Sequence, residues 1–495
     1  MTAFRELSVE QRIKTLQNEG KINETEADLL LKQLAQSSDA TIPADVANHM
    51  IENQIGKYTL PVGVVRGLIV NGEKRDILVA TEEPSVIAAA CNGARIAATS
   101  VVEQNAVTDV VEQNAATDVV EQNAATSVVE QNAVTSDENC VIANEAECGI
   151  NETEYGIIAH SPQYVTTAQI IFEDADSSVA ARLNEIVEDN EKVEELLRIA
   201  NESHPSMIKR GGGARKCRDS AFNGFAKLEI DVDTCDAMGA NTVNTMGEAV
   251  KAQLESWLGV EALAAILTNT SRVATTAQVR IPVEALASRR LEESEREDEG
   301  KRLARRIAAL SALAASDPAR AATHNKGILN GILGAALASG NDTRALEAAA
   351  HAWAARTGRY LPLSTWKIET LNEQTILSGR IEIPLQIGIV GGSISSLPMA
   401  KLAIKIGKYK NANDFRNTLA ALGLVQNLAA LLALAGPGIQ AGHMKLQSSN
   451  LAIAAGAKDA EIAEISHNLL QLDPAERTIQ NAVQLLKKLR ESKQN

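Results

Sequence analysis

The sequence predicts an α+β fold: a helix-rich large domain carries an inserted ferredoxin-like unit and ends in a helical C-terminal segment. Three observations predict it. AKLEIDVD (226–233) alternates strictly, with Leu228, Ile230 and Val232 on one side and charges on the other, as a half-buried strand does. It lies between two helical patterns, the first with Val179, Leu183, Ile186, Val193 and Leu197 on one stripe. From residue 284 the chain turns Ala-rich and helical, interrupted by strand-like stretches near 368–390.

The elements follow in order. Ser8, with Gln11 three residues on, reads as a capping box that opens a helix. GVVRGLIV (63–70) is strand-like, and Glu82-Glu83-Pro84 precedes a helix start. Residues 101–136 are four copies of a nonamer, VVEQNA(V/A)T(D/S). Nine residues are two and a half helical turns and also an odd strand count, so the Val pair changes face with each copy. One long amphipathic helix or strand is thereby excluded. A small stack of short strands and disorder are the two remaining readings; with no aromatics and few large apolar groups, the repeat reads as poorly ordered. TTAQIIF (166–172), a helix over 178–201, AKLEIDVD, a helix over 241–258 and TTAQVRIPV (275–283) then alternate as strand, helix, strand, helix, strand. That order suggests a split β-α-β unit closed by 275–283. The charged section 289–306 reads as a solvated helix face, and the last helix carries Ile479, Val483, Leu486 and Leu489 at helical spacing.

Composition narrows the function. A chain of 495 residues can hold two or three domains with cores of their own. Aromatics are only 3%, so those cores must come from Ala, Leu, Ile and Val. A net charge of −15 argues against a general nucleic-acid binder, and any phosphate-bearing ligand must meet a local basic patch. Cys91, Cys140, Cys148, Cys217 and Cys235 are spread out with no Cys-x-x-Cys pair, which predicts reduced thiols and no metal site. No stretch approaches the roughly 20 apolar residues of a membrane span, and the N-terminus has no apolar signal core, so a cytoplasmic protein is expected.

Several segments can carry chemistry. KRGGGARKCR (209–218) packs Lys209, Arg210, Arg215, Lys216 and Arg218 around three glycines. Glycines let backbone N–H groups approach an anion, and arginines grip phosphate oxygens; a plain exposed loop is the alternative. Strand 226–233 runs into CDAMGANTVNTMGEAV (235–250), where Gly239 permits close approach and Asp236 and Asn241 can cap a helix or touch a ligand. TEEPSVIAAA (81–90) holds Glu83, ARAATHNKGILNGI (319–332) holds Arg320, His324, Lys326 and Asn330, and AGHMKLQSSN (441–450) holds His443. Taken singly, each such residue is more often structural than functional.

Together these segments resemble class II HMG-CoA reductases. The matching strings are IENQIG (51–56), EEPSVIAAA (82–90), HPSMIKRGGG (204–213), DAMGANTVNTM (236–246), ATHNKGILNGI (322–332), SGNDTRALEAAAHA (339–352), GIVGG (388–392) and IQAGHMKLQ (439–447). They stand in the family's order and cover nearly the whole chain except about 100–158. The resemblance implies reduction of a thioester to an alcohol by two hydride transfers. Lys326 matches the lysine that stabilises the oxyanion, and Glu83 the carboxyl that protonates the aldehyde-level oxygen. Asp342 matches the aspartate that bonds both, and His443 the histidine that protonates the departing coenzyme A thiolate. Arg320, Ser85 and Asn330 match contacts to the hydroxymethylglutaryl group; Arg5 and Gln426 fall at coenzyme A contacts. Asp236, Met238, Gly239 and Asn241 lie in the nicotinamide-binding motif.

The resemblance also implies boundaries, cofactor and assembly. The large domain is expected over 1–99 and 275–437, with the nonamer insert at 100–158. The cofactor-binding ferredoxin-like domain is expected over 159–274 and a mobile C-terminal flap over 438–495. NAD-preferring relatives have an aspartate where this chain has His204, followed by Lys209 and Arg210. A site without that carboxylate admits a 2′-phosphate, so NADPH is expected over NADH; the alternative is that His204 only caps the helix ending near 201. The active site is expected at the interface of a homodimer or higher homo-oligomer. An NAD-linked enzyme oxidising mevalonate and a non-catalytic acyl-CoA-binding scaffold are the competing readings.

Overall fold

The chain opens on α1 (Val9–Asn18), and the capping box forms as its residues dictate. The Ser8 hydroxyl accepts the Gln11 N–H at 3.2 Å, and the Gln11 side chain accepts the Ser8 N–H at 2.9 Å. The structure, a computed structural model, describes residues 4, 7–34, 49–55, 57–100, 156–174, 177–436, 448–458 and 460–492. Arg5, His443 and the nonamer repeats lie outside them. α2 (Glu24–Leu34) follows, and β1 (Val62–Val70) and β2 (Glu73–Ala80) pair as an antiparallel hairpin. Asn71 and Gly72 turn it at φ 49° and 77°, the left-handed pair that a two-residue hairpin requires. Sequence reading found β1 but not β2. From Arg75 to Ala80 every residue of β2 is buried, so no alternation marks it. α3 (Val86–Ala97) packs onto this hairpin.

β3 (Ile158–His160) leads into the inserted unit, and the chain returns through β8 (Thr275–Pro282), which pairs with β3 antiparallel. Everything between is thus inserted between two neighbouring strands of one sheet. Tyr164 ties the crossing: its hydroxyl accepts N–H bonds from Thr275 (2.9 Å) and Leu385 (3.0 Å), and the Arg416 guanidinium lies 4.4 Å over its ring.

The inserted unit runs β4 (Thr166–Glu173), α4 (Ser178–Glu188), α5 (Asn190–Ser203), α6 (Pro205–Ile208), β5 (Gly213–Phe222), β6 (Phe225–Asp233), α7 (Ala240–Leu258) and β7 (Ala264–Leu267). Its sheet has the order β5-β6-β4-β7, all antiparallel, with the apolar face (Ala168, Ile170, Phe172, Leu228, Ile230, Val232) under the helices. This is the ferredoxin-like order, with three corrections to the sequence reading. TTAQVRIPV does not close this sheet; it is β8, and its Ala277, Val279 and Ile281 enter the larger core. The closing strand is the four-residue β7, too short to show a period. The helix expected over 178–201 is two helices, because Asp189 adopts extended backbone and accepts N–H bonds from Glu191 and Lys192 to cap α5. Residues 213–218 of the basic cluster are strand β5, not loop.

The second sheet has the order β3-β8-β10-β9, with β9 (Ser364–Leu371) and β10 (Gln374–Ile383). α8 (Glu293–Ser316) and α12 (Ala412–Ala435) pack on it, α9 (Pro318–Ala338) lies between α12 and β2, α10 (Thr343–Ala354) packs on α9, and α11 (Pro398–Gly407) packs on β2. α12 is long and apolar enough to cross a membrane, yet most of it is buried as the core helix of the protein. Its backbone meets α3 so closely that a Cβ on Gly93 would collide with the Val425 carbonyl. At the C-terminus, α13 (Ala460–Leu470) and α14 (Ile479–Ser492) form a separate small core of Ala452, Ile465, Leu469, Ala482, Leu486 and Leu489. Ile479 and Val483, on the expected apolar stripe, are exposed.

A buried polar chain stitches α9 to β9 and α12. His324 Nε2 lies 2.7 Å from the Ser364 hydroxyl, which donates to Asn427 Oδ1 at 2.9 Å; the same oxygen accepts the Trp366 indole N–H at 2.7 Å. Since Ser364 spends its proton on Asn427, the imidazole Nε2 carries a proton and donates. Burial first, then the nearby Arg320 charge, push His324 down from 6.5 to about 4. Between these values the unfolded chain binds a proton that the folded chain refuses. The contribution is therefore complete above pH 6.5 and lost as pH falls toward 4, amounting to about 3 kcal/mol. The denaturant midpoint of the wild type should fall across that window more steeply than that of His324→Gln. Equal pH dependence in the two proteins would contradict the assignment.

Candidate active site

β2 ends at Ala80, and the chain then turns through Thr81, Glu82, Glu83 and Pro84 into α3. Thr81 holds this turn by accepting the Glu83 N–H at 3.1 Å. α9 crosses the same end of β2. Its Gly334 lies so near that a Cβ would stand 2.6 Å from a Val79 methyl and 3.0 Å from the Ala80 carbonyl. One and two turns earlier, Asn330 and Lys326 share a face of α9. Lys326 Nζ donates to Glu83 Oε2 at 2.6 Å, and Asn330 Nδ2 donates to Oε1 at 3.3 Å. Both carboxylate oxygens are thus held, on a pair that stays accessible to a ligand. Ser85 sits at φ 74° before α3 and makes no side-chain capping bond. Arg320 is half-buried, one and a half turns before Lys326 on α9, with no ion pair among the described residues. Gln426 is buried against Gly331, 4% exposed, its Oε1 without a hydrogen bond.

A second group of predicted residues gathers elsewhere. Past β6, Cys235 and Gly239 take positive φ (52° and 81°), and Gly239 starts α7 without a side-chain cap. Asp236 therefore does not cap α7: its carboxylate accepts the Ala412 N–H at 2.7 Å, at the start of α12. Its carbonyl accepts N–H bonds from Ile389 (2.8 Å) and Val390 (3.3 Å). Gly388 touches the same turn; a Cβ there would stand 2.6 Å from the Met238 nitrogen and 2.8 Å from the Asp236 oxygen. Only glycine allows the GIVGG segment to seat the turn. Met238 is half-buried and Asn241 exposed at the first turn of α7. Asn341, which sequence reasoning passed over, holds Gly388 from the other side, donating to its carbonyl at 3.0 Å and accepting its N–H at 2.8 Å.

The basic cluster is smaller than its sequence suggests. Arg218 pairs with Asp231, and Arg215 with Asp233 at 3.4 Å. Lys209, Arg210 and Lys216 are exposed and carry no ion pair among the described residues. Gly212 packs against Asp233, Met207 and Cys235, which leaves no room for a side chain. His204 is the C-cap of α5, and its Nε2 lies 3.3 Å from the Thr242 hydroxyl at the start of α7. It thus links the end of α5 to the start of α7. Among the described residues, no group of His, Cys, Asp and Glu could hold a metal ion.

Asp342 is not brought to Glu83 or Lys326 by a hydrogen bond. It caps α10, accepting from the N–H groups of Arg344 (3.0 Å) and Ala345 (3.2 Å) and from the Arg344 guanidinium. Burial would raise its carboxyl, but Arg344 and those N–H groups outweigh it and hold the group below the ordinary carboxylate value. Lys326 lies in the first half of α9, and Asp342 follows that helix's C-terminus. Twelve residues (338 − 326) separate Lys326 from the end of α9, about 18 Å of rise.

Comparison with known proteins identifies the family. The family profile for hydroxymethylglutaryl-coenzyme A reductase matches residues 8–154 and 134–448. The 3-hydroxy-3-methylglutaryl-coenzyme A reductase of Archaeoglobus fulgidus is 33% identical over 469 residues, covering 93% of this chain and 88% of its own. A solved 3-hydroxy-3-methylglutaryl-coenzyme A reductase from Streptococcus pneumoniae superposes with a TM-score of 0.70 at 32% identity, covering 99% of each chain. A second structure of the class II Streptococcus enzyme, bound to NADPH in open conformations, superposes with a TM-score of 0.70 at 31% identity, covering 88% of this chain and 99% of its own. With the profile spanning most of the chain and a relative above 30% identity over nearly all of it, this chain belongs to the hydroxymethylglutaryl-coenzyme A reductase family.

Proposed function

We propose that the chain reduces HMG-CoA to mevalonate and free coenzyme A, with NADPH as hydride donor. The observation that carries this reading is the Glu83–Lys326–Asn330 constellation. When bound, NADPH supplies a hydride to the thioester carbonyl and then to the aldehyde. Each addition leaves negative charge on an oxygen. Lys326 is placed to stabilise that charge, and Glu83, its partner, to relay a proton to the oxygen. Arg320 binds the substrate carboxylate, and Ser85 and Asn330 its polar groups. His443, on a flap over about 438–495, protonates the leaving thiolate. The large domain over 1–99 and 275–437 carries the substrate; the 159–274 unit carries the cofactor.

The exposed Lys209 and Arg210, with His204 where NAD-preferring relatives have a carboxylate, suit a 2′-phosphate. Gly388 and Gly239 leave the backbone approach that the nicotinamide motif needs. Within one chain the cofactor turn clusters with Asp342, while the substrate groups cluster around Glu83 and Lys326. Two copies reconcile the halves, one chain's Asp342 and cofactor turn meeting the other's Lys326. The exposed Ile51, Ile55 and Tyr58 are apolar groups that such a partner would cover. We therefore propose a cytoplasmic homodimer.

Purified protein given HMG-CoA should consume two NADPH for each coenzyme A released, with kcat/KM for NADPH at least about tenfold above that for NADH. Lys326→Ala should lose about 10²- to 10³-fold in kcat. No turnover with either cofactor would overturn the reading, and preferential turnover with NAD and mevalonate would redirect it to catabolic oxidation. Ser85→Ala and Ser85→Gly should each raise the KM for HMG-CoA by about tenfold, since both delete the hydroxyl. Ser85→Gly, free of strain at φ 74°, should melt at the higher temperature of the two. An unchanged KM in both would make Ser85 a turn residue only.

A further inference from the structure

We infer that Asn341 is a positioning residue that sets the distance between the cofactor turn and Asp342; this rests on the reductase reading above. Residues 385–390 follow β10 and lie outside every sheet, so their backbone groups need other partners. They find them one after another. Leu385 donates to the Tyr164 hydroxyl, and Arg416 takes the carbonyls of Leu385 (2.9 Å) and Ile387 (3.0 Å). Asn341 takes both peptide groups of Gly388, and Ile389 and Val390 donate to the Asp236 carbonyl.

The Asn341 clasp differs from the others in where it leads. One side chain amide meets the N–H and C=O of one glycine, a two-point contact that fixes orientation as well as distance. That glycine has no Cβ because the nicotinamide motif occupies its place, at 2.6 and 2.8 Å. The residue after Asn341 is Asp342. Ser339 fixes the other end: the Asn341 Nδ2 also donates to its hydroxyl at 3.1 Å, and that hydroxyl is bonded to the Ala335 and Ala336 carbonyls at the end of α9. A rigid path thus runs from the cofactor turn, through Gly388 and Asn341, to the acid that caps α10. Hydride transfer is sensitive to misplacement on the scale of an ångström, so loosening this path should slow chemistry more than it weakens binding.

The test uses the full-length chain with Asn341→Ala and Asn341→Gln. In hydrogen exchange, Asn341→Ala should speed exchange of 386–392 and of 235–241 together, leaving β5 and β6 unchanged. In steady-state assays it should lower kcat by about tenfold or more, with the KM for HMG-CoA within twofold. A deuterium isotope effect on kcat from labelled NADPH should rise, a change that a loss of folded protein cannot produce. Asn341→Gln, which keeps the amide, should recover part of the rate. A kcat within twofold of wild type in Asn341→Ala, or a loss that follows the folded fraction with an unchanged isotope effect, would overturn the proposal. The wild-type turnover and the exchange data separate failure of the clasp from failure of the reductase reading.

Discussion

The site depends on the contact between α9 and the end of β2. Gly334 lets the helix backbone rest on Val79 and Ala80, and Glu83 follows three residues after that strand ends. Asn330 and Lys326 then meet Glu83 because they stand one and two turns up the same helix. Behind α9, Gly423 of α12 accepts Ile328 and Ile332, and Gly93 of α3 meets the Val425 carbonyl. A core poor in aromatics suits this arrangement, since small residues let helices approach at backbone distance. The His324–Ser364–Asn427 chain and the Asn325 bonds to Leu361 and Leu363 stop the helix from sliding. The ion pair is therefore presented from a rigid support while its own atoms remain accessible.

Charge is arranged in the same spirit. An acidic chain must attract an anionic cofactor through a local exception to its overall field. Asp231 and Asp233 consume two of the five cations in the glycine-rich segment, and these pairs hold β5 to β6. Lys209 and Arg210, on the turn just before β5, and Lys216, on β5, are left exposed without an ion pair among the described residues. Paired and unpaired charges are thus separated within ten residues.

Local chemistry was legible in the sequence where the signal was local. The Ser8–Gln11 cap, the alternation of 226–233 and the first half of the 178–201 stripe (Val179, Leu183, Ile186) each marked an element or a face. Partner choice was not legible. TTAQVRIPV alternates as well in one sheet as in another, because period two reveals a buried face and not the neighbouring strand. β2 and β7 were missed, one buried on both faces and one only four residues long. The candidate site divides in the same way. The motif strings marked Glu83, Lys326, Asn330 and the 236–241 turn, and the structure brings the first three together. It also shows what spacing could not: Asp342 turned toward its own helix, Arg218 and Arg215 already paired, Gln426 buried, and Asn341 bridging two segments far apart in sequence.

The central claim is that Glu83 and Lys326 act as one unit. Glu83→Gln and Lys326→Met, made singly and together, measure it directly through kcat/KM for HMG-CoA. If the two groups share one charge and one proton path, the double variant should be no slower than the slower single variant. Losses that multiply would show two independent contributions and contradict the account.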